Sequence, residues 1–537
     1  MRVTPAATRL PPMPVAPHTL VEELESKFQR LETDFHRAYW ESQIDATPEK
    51  GQQRAELELE LRRVKGDPAA LTAVRAALEQ QLHDPILRRQ LEVLRLSLLG
   101  NQMTEEQRTE IVELSSAVEG DFASFRPVVD GQALSDNEIE EVLATSNDVE
   151  LRKRTWEASK EIGDVVAERI RELARARNRA AHDAGFADYY RMSLEMQEMS
   201  EEWLFDTLDE VEELTEKPFR HWKSQLDDSL KKRFGVGEIY PWHYSDPFFQ
   251  SVPPEAKISL DEELKGTDAR ELAEKTFAGW GIDLSKVLEN SDLYPRERKC
   301  QHAFCLDIDR SAQDVRILAN IVPGERWVEV TLHECGHAAY DVMIRRQIPY
   351  LLRRAAHTFV TEAIALLCGR LLRDVGWLVE VAGVEASRVD AKAARLRASN
   401  AGQSLMFARW VLVMAHFERL LYSDPEGDLD AEWWSLVQRL QLVTPPPGRT
   451  APDWAAKIHI AVSPVYYHNY LLGEILASQL TSIIDAQCGG LAGVRDAGEL
   501  LIDRVFKPGS VLRWDSLIEE AIGAPFSPRD FVAGLAL

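Results

Sequence analysis

Two imidazoles four residues apart with a carboxylate between them stand in Thr331-Leu332-His333-Glu334-Cys335-Gly336-His337-Ala338-Ala339-Tyr340-Asp341. Residues four apart share a helix face, so His333 and His337 can grip one zinc ion while Glu334 reaches a water beside it. That is the minimal machinery for hydrolysing a peptide bond. Two histidines leave a catalytic zinc one protein ligand short, so a third must come from another element that folds back beside the motif.

Glu362 fits that need. Phe359-Val360-Thr361-Glu362-Ala363-Ile364-Ala365-Leu366-Leu367 reads as the start of a mostly apolar helix with a lone carboxylate, which needs a partner if buried. The competing reading is a solvent-facing glutamate favoured by the dipole at a helix N-terminus. The motif upstream favours the ligand. Trp327, Val330, Leu332 and Val342 make the motif segment apolar and therefore buried, and a buried Glu334 between two buried histidines is costly without a cation. Cys335 falls roughly on the other side of the helix and reads as a small packing residue. Asp341, four residues after His337, is either a solvated carboxylate or the acceptor for the second imidazole proton of a ligand histidine.

The elements that must position these groups are mainly helical. Apolar residues recur at three-to-four spacing over residues Leu20 to Ile44, Ala69 to Leu99, Thr104 to Phe122 and Glu150 to Ala184. Strand patterns are confined to His302–Asp309 and Val315–Val322, which predict a hairpin ended by Pro323-Gly324 just before the motif helix. Residues 1–18, rich in proline, are expected to be extended or disordered. A lobe boundary is expected where Gly120, Pro127 and Gly131 punctuate the chain, before Ser135 or Asp136 caps the next helix. This divides the chain into an N-terminal helical lobe, 19–130, and a catalytic region, 131–537. The segment from Tyr240 to Pro254, with four prolines and five aromatics, reads as a packed irregular connection with no chemistry assigned to it.

The totals bound the partners. A chain of 537 residues can build a large core, and a formal net charge of -25 argues against nucleic acid or an anionic membrane as partner. No run approaches the length of a membrane span and the N-terminus lacks a signal-like apolar core, so a cytoplasmic location is expected. Five cysteines, scattered from Cys300 to Cys488, are too few for a disulfide framework and are expected to be reduced.

His333-Glu334-Cys335-Gly336-His337, followed after 24 residues by Glu362, resembles the gluzincin peptidases of the angiotensin-converting-enzyme and thimet-oligopeptidase or oligopeptidase F type. Two further segments narrow the likeness. Lys457-Ile458-His459-Ile460 followed by Tyr466-Tyr467-His468-Asn469-Tyr470-Leu471 is similar to the converting-enzyme segment in which a lysine, a histidine and two tyrosines three apart line the cleft. The resemblance implies that Lys457 and Tyr467 hold the substrate's C-terminal carboxylate, while Tyr470 and His459 stabilise the oxyanion. These roles suit an ammonium and polarised donors. One inserted residue is needed to align His459 with Tyr470. Gln301-His302-Ala303-Phe304 is similar to the family strand whose histidine contacts substrate, which would give His302 a peptide carbonyl as partner; a structural histidine is the other reading.

The resemblance further implies a mostly helical, two-lobed metallopeptidase with a deep central cleft and a small sheet beside the zinc helix. Its cofactor would be one zinc ion and its substrates short peptides. The implied activity is release of C-terminal dipeptides, with an internally cutting oligopeptidase as alternative and an inactive peptide-binding protein as the remaining one. There are departures from the pattern. Leu366 stands where the converting enzymes have an acid one turn after the ligand glutamate, so another group must orient the zinc histidine. Asn469 stands where they have a chloride-binding arginine, and no cysteine lies near Asn320.

Overall fold

A computed structural model describes residues 16–253 and 258–535. It is mostly helical, with two small two-stranded antiparallel ladders among the described residues. Proline sets the helix starts in the N-terminal part. Pro17, Pro48, Pro68 and Pro85 are each the first residue of a helix, where the missing N–H costs nothing and the fixed φ suits the turn. Thr47, Asp67 and Asp84 precede three of them and accept the free N–H groups of Lys50, Ala69 and Ile86.

These signals explain where the structure departs from the periodicity. The stretch expected to run from Ala69 to Leu99 is two helices, Pro68–Leu78 and Pro85–Leu99, divided at Asp84-Pro85. The stretch from Glu150 to Ala184 is likewise divided at Glu161 into Val149–Lys160 and Ile162–Asp183. Pro48–Lys65 is a helix that apolar spacing does not reveal, because Leu61 is the residue it buries while Leu59 faces solvent. Pro17 and His18 belong to the first helix, Pro17–Ile44, rather than to an extended lead-in, while residues 1–15 lie outside the described residues.

At the expected lobe boundary, Val128–Val129 pairs with Gln132–Ala133 in a small hairpin that periodicity does not predict. Ser135 caps the following helix, with Glu138 returning the bond. The largest cluster of buried apolar side chains runs from Leu20 to Leu535. Among the described residues, no helix is long and apolar enough to cross a membrane.

The second ladder lies where it was expected. Phe304–Asp309 pairs antiparallel with Asp314–Leu318, with an irregularity between Asp307 and Asp309. The Pro17–Ile44 helix packs on the first of these strands: Tyr39 and Trp40 meet Phe304 edge-on, and the His36 ring nitrogen Nδ1 lies 3.0 Å from the Asp307 carbonyl. The helix Glu325–Met343, which carries the two motif histidines, begins directly after Pro323-Gly324. Its N-terminus is capped from a distance by Asp261, whose Oδ1 accepts the Glu325 N–H at 2.8 Å. Buried Val328, Thr331, Leu332, Cys335, Ala338 and Ala339 repeat at helical spacing and fix which face turns inward.

Candidate metal and peptide site

Two glycines let three helices approach closely enough to build the site. A Cβ on Gly336 would lie 2.9 Å from Ala365 Cα and 3.0 Å from Cys368 Sγ, so the motif helix can lie against Thr358–Arg370 only with hydrogen at that position. A Cβ on Gly473 would meet Glu362 Cγ and Leu366 Cδ1, both at 3.2 Å. The helix His468–Cys488 is thereby pressed against the other side of Glu362. Sequence neighbours of the chemistry are thus also its spacers.

The outcome is a compact donor set. One Glu362 oxygen is 3.7 Å from His333 Nε2 and the other is 3.7 Å from His337 Nε2. One donor atom from each of His333, His337 and Glu362 lies within 4.8 Å of the others. Donors about 2.0–2.2 Å from a tetrahedral zinc sit roughly 3.4 Å apart, so this set fits the ion with little movement and leaves a fourth position for water or substrate. The three side chains keep 14–27% of their exposure, so the set is reachable. Burial pushes His333 down to about 4 and His337 to about 3, the latter with help from His333, which makes both imidazoles neutral lone-pair donors at pH 7.

The carboxylates respond in the opposite sense. Burial pushes Glu362 up to about 7. Burial and then the charge of Glu362 push Glu334 up to about 8, against a backbone hydrogen bond from Cys305. A dication between the groups reverses both shifts, which is a further sign that this donor set suits a metal. The Cys305 bond also ties Glu334 to the strand Phe304–Asp309, so hairpin and motif helix are held in one geometry.

The partner of His337 is Thr361, not Asp341. Thr361 Oγ1 lies 2.8 Å from His337 Nδ1. Asp341 instead lies partly buried beside Asp307 and Arg310, where desolvation and then the Asp307 charge raise its carboxyl well above the usual range, with Arg310 opposing. Thr361, rather than the residue at Leu366, meets this histidine, and it immediately precedes Glu362 in the sequence.

The residues expected to meet a peptide gather next to the triad. The Tyr470 hydroxyl is raised by burial and by the nearby Glu362. Its ring lies 5.5 Å from that of Tyr467, whose ring in turn lies 5.5 Å from that of His459. Trp410 Nε1 donates to Tyr467 Oη at 3.0 Å, and burial pushes that phenol up to about 12. His459 is pushed down to about 4 by burial and then by Lys457, and its buried Nδ1 has no hydrogen-bond partner. His302 is exposed, two residues before the strand whose Cys305 faces Glu334.

Lys457 has a partner that its sequence context did not disclose. Its Nζ donates to Gln250 Oε1 at 2.9 Å, and Gln250 belongs to the aromatic, proline-rich loop to which no chemistry had been assigned. Buried Asp246 shapes that loop by accepting the N–H groups of Phe248, Gln250 and Ser251 at 2.9–3.1 Å. Two lysines approach Phe248, with Lys160 Nζ 3.2 Å and Lys457 Nζ 5.3 Å from its ring centroid. Burial lowers Lys160 to about 7 and Lys457 to about 8.

Two family models match separate parts of the chain. Residues 16–224 match the family model for angiotensin-converting enzyme, and residues 289–537 match that for peptidase family M3. No curated protein sequence matches the chain. The second match contains the motif helix, Glu362, Lys457 and both tyrosines; the loop with Gln250 lies between the two. Both families are gluzincin metallopeptidases and imply zinc. The chain is therefore a gluzincin zinc metallopeptidase, similar over its first part to angiotensin-converting enzyme and over its second to peptidase family M3.

Proposed function

We propose that the protein is a peptidyl-dipeptidase acting on short peptides, with one zinc ion held by His333, His337 and Glu362. A zinc so held supplies Lewis acidity and brings water near neutrality in pKa, to about 7. Glu334, fixed by the Cys305 N–H, takes the proton from the attacking water and returns it to the leaving amine. Tyr470 donates to the oxygen that gains charge, with His459 beside Tyr467 as a further donor. His302 is placed to meet a peptide carbonyl at the strand edge.

The observation that carries the dipeptidase reading is the setting of Lys457. This lysine is 8% exposed and its hydrogen-bond acceptor is the neutral amide of Gln250; the carboxylates of Asp246 and Glu140 act on it at longer range. A buried ammonium satisfied by an amide can still take a free carboxylate, and Tyr467 lies against it, 6.0 Å from its ring centroid. Such a clamp counts residues back from the C-terminus.

The match of residues 289–537 to peptidase family M3 favours the second reading, an oligopeptidase that cuts internally. Cleavage of one peptide with free and with amidated C-terminus separates the two. The dipeptidase reading expects a large loss on amidation in the parent, and in Lys457→Met a loss on the free peptide alone. Equal rates on both peptides in the parent would establish the oligopeptidase reading instead.

A further inference from the structure

The chain enters the helix of Tyr470 through a residue in an unfavourable conformation. Val465 has φ +53° and is buried, and a β-branched side chain in the left-handed region is a true outlier that its surroundings must enforce. Two bonds, one buried and one partly buried, do so from opposite sides. Glu418 Oε1 accepts the Val465 N–H at 2.5 Å, and Gln197 Nε2 donates to the Val465 carbonyl at 3.0 Å. The other end of the Gln197 amide is used as well: its Oε1 lies 3.0 Å from His468 Nε2 and accepts from Asn469 Nδ2 at 3.0 Å.

We infer that Glu418 and Gln197 are positioning residues for peptide binding and turnover, holding Val465 left-handed so that Tyr470 faces the metal donors and Tyr467 faces Lys457. Three distant stretches of chain converge for this. Glu418 lies 3% exposed in the helix Ala386–Ser423, and Gln197 ends the helix Tyr189–Met196. Arg177 extends the grip upstream, donating to the Ala461 carbonyl at 2.6 Å and to Tyr422 Oη at 3.0 Å. Strain of this kind collects at functional sites because the fold must over-determine it. Without the bonds, Val465 relaxes toward negative φ. The turn then re-aims, and both tyrosines shift relative to Glu362.

The inference rests on the roles given above to Tyr467 and Tyr470. It is tested with the zinc-loaded enzyme and a short peptide with a free C-terminus. Glu418→Leu, which removes the acceptor, is expected to lower kcat/KM by about a hundredfold, the usual scale for an ångström-sized misplacement, with zinc content and circular dichroism unchanged. Glu418→Gln keeps an acceptor oxygen and should stay near the parent. Adding Val465→Gly to Glu418→Leu should restore at least about tenfold, because glycine takes a positive φ without the clamp. A merely structural glutamate would not be rescued in this way. If Glu418→Leu fails to fold, Gln197→Leu with and without Val465→Gly makes the same comparison at a less buried position.

A folded, zinc-replete Glu418→Leu at parental rate overturns the clamp, as does a double variant no better than the single one. Tyr467→Phe and Tyr470→Phe are measured alongside. Parental rates in both overturn the reading of the site, and with it the purpose assigned to the clamp; losses there with none in Glu418→Leu overturn the clamp alone.

Discussion

Thr361 Oγ1 and His337 Nδ1 lie 2.8 Å apart, and Thr361 immediately precedes Glu362 on the same helix. One turn of helix would therefore both contribute a donor oxygen and orient a donor nitrogen. With a metal on His337 Nε2, the imidazole proton would sit on Nδ1 and Thr361 would accept it. Replacing Thr361 by valine keeps the shape and removes the acceptor. Zinc affinity should fall by about tenfold to a hundredfold, the usual effect of losing a bond that orients a ligand. Competition with a chromophoric chelator reads this directly, and an unchanged affinity would remove Thr361 from the metal centre.

Gly336→Ala tests the closeness of the two helices. The new methyl would sit 2.9 Å from Ala365 Cα, a backbone-linked atom that cannot step aside without moving its helix. Overpacking of this sort costs roughly 1–3 kcal/mol. A lowered Tm together with weaker zinc retention is expected, since the displaced helix carries Glu362. Loss of stability with full zinc affinity would mean that the helix spacing is not what sets the donor geometry.

Glu334→Gln separates metal binding from proton transfer. Glu334 is not among the three clustered donors, so the variant should retain zinc. The amide cannot accept the proton of the attacking water, and turnover should fall by at least about a hundredfold. Metal analysis beside a peptide-cleavage assay gives both numbers. Parental turnover in the variant would require another base.

The ion pairs of Glu32 should make the fold acid-sensitive. Burial by itself would raise the Glu32 carboxyl, but Arg310 and Lys65, with a hydrogen bond from Tyr350, overcome it and hold it at about 2. Lys65 Nζ is 2.7 Å and Arg310 Nη1 3.2 Å from its oxygens. A folded pKa below the ordinary value of 4.5 means that the stabilisation is complete above about 4.5 and is lost as pH falls toward 2. Glu32→Gln should therefore be less stable than the parent at pH 7, by roughly 3 kcal/mol at most. The gap should close on acidification below about 4.5, as measured by thermal melts across that range. A gap independent of pH would show that the variant loses shape rather than charge.

The separation between what is legible in sequence and what is not follows the range of the interactions. His333, Glu334 and His337 are readable because helix geometry alone brings residues four apart together. Glu362 is readable because a lone acid in an apolar helix calls for a partner, and the start of the motif helix is readable because Pro323-Gly324 cannot continue the strand before it. The Pro48–Lys65 helix escaped because it buries little, so capping by Thr47 and Pro48, rather than apolar spacing, marks it.

Asp341 shows the limit most plainly. Its spacing of four from His337 made it a reasonable support for that ring, yet the approach of a second helix puts Thr361 at Nδ1 and leaves Asp341 with Asp307 and Arg310. Gln250, Gln197 and Glu418 were equally invisible, since each meets its partner across 200 or more residues of chain or across 47. By itself the sequence determined the zinc chemistry, which depends on residue types and one helical turn. Only the tertiary structure decided what orients His337, what backs Lys457 and what bends the chain at Val465, because those contacts depend on how closely separate helices pack.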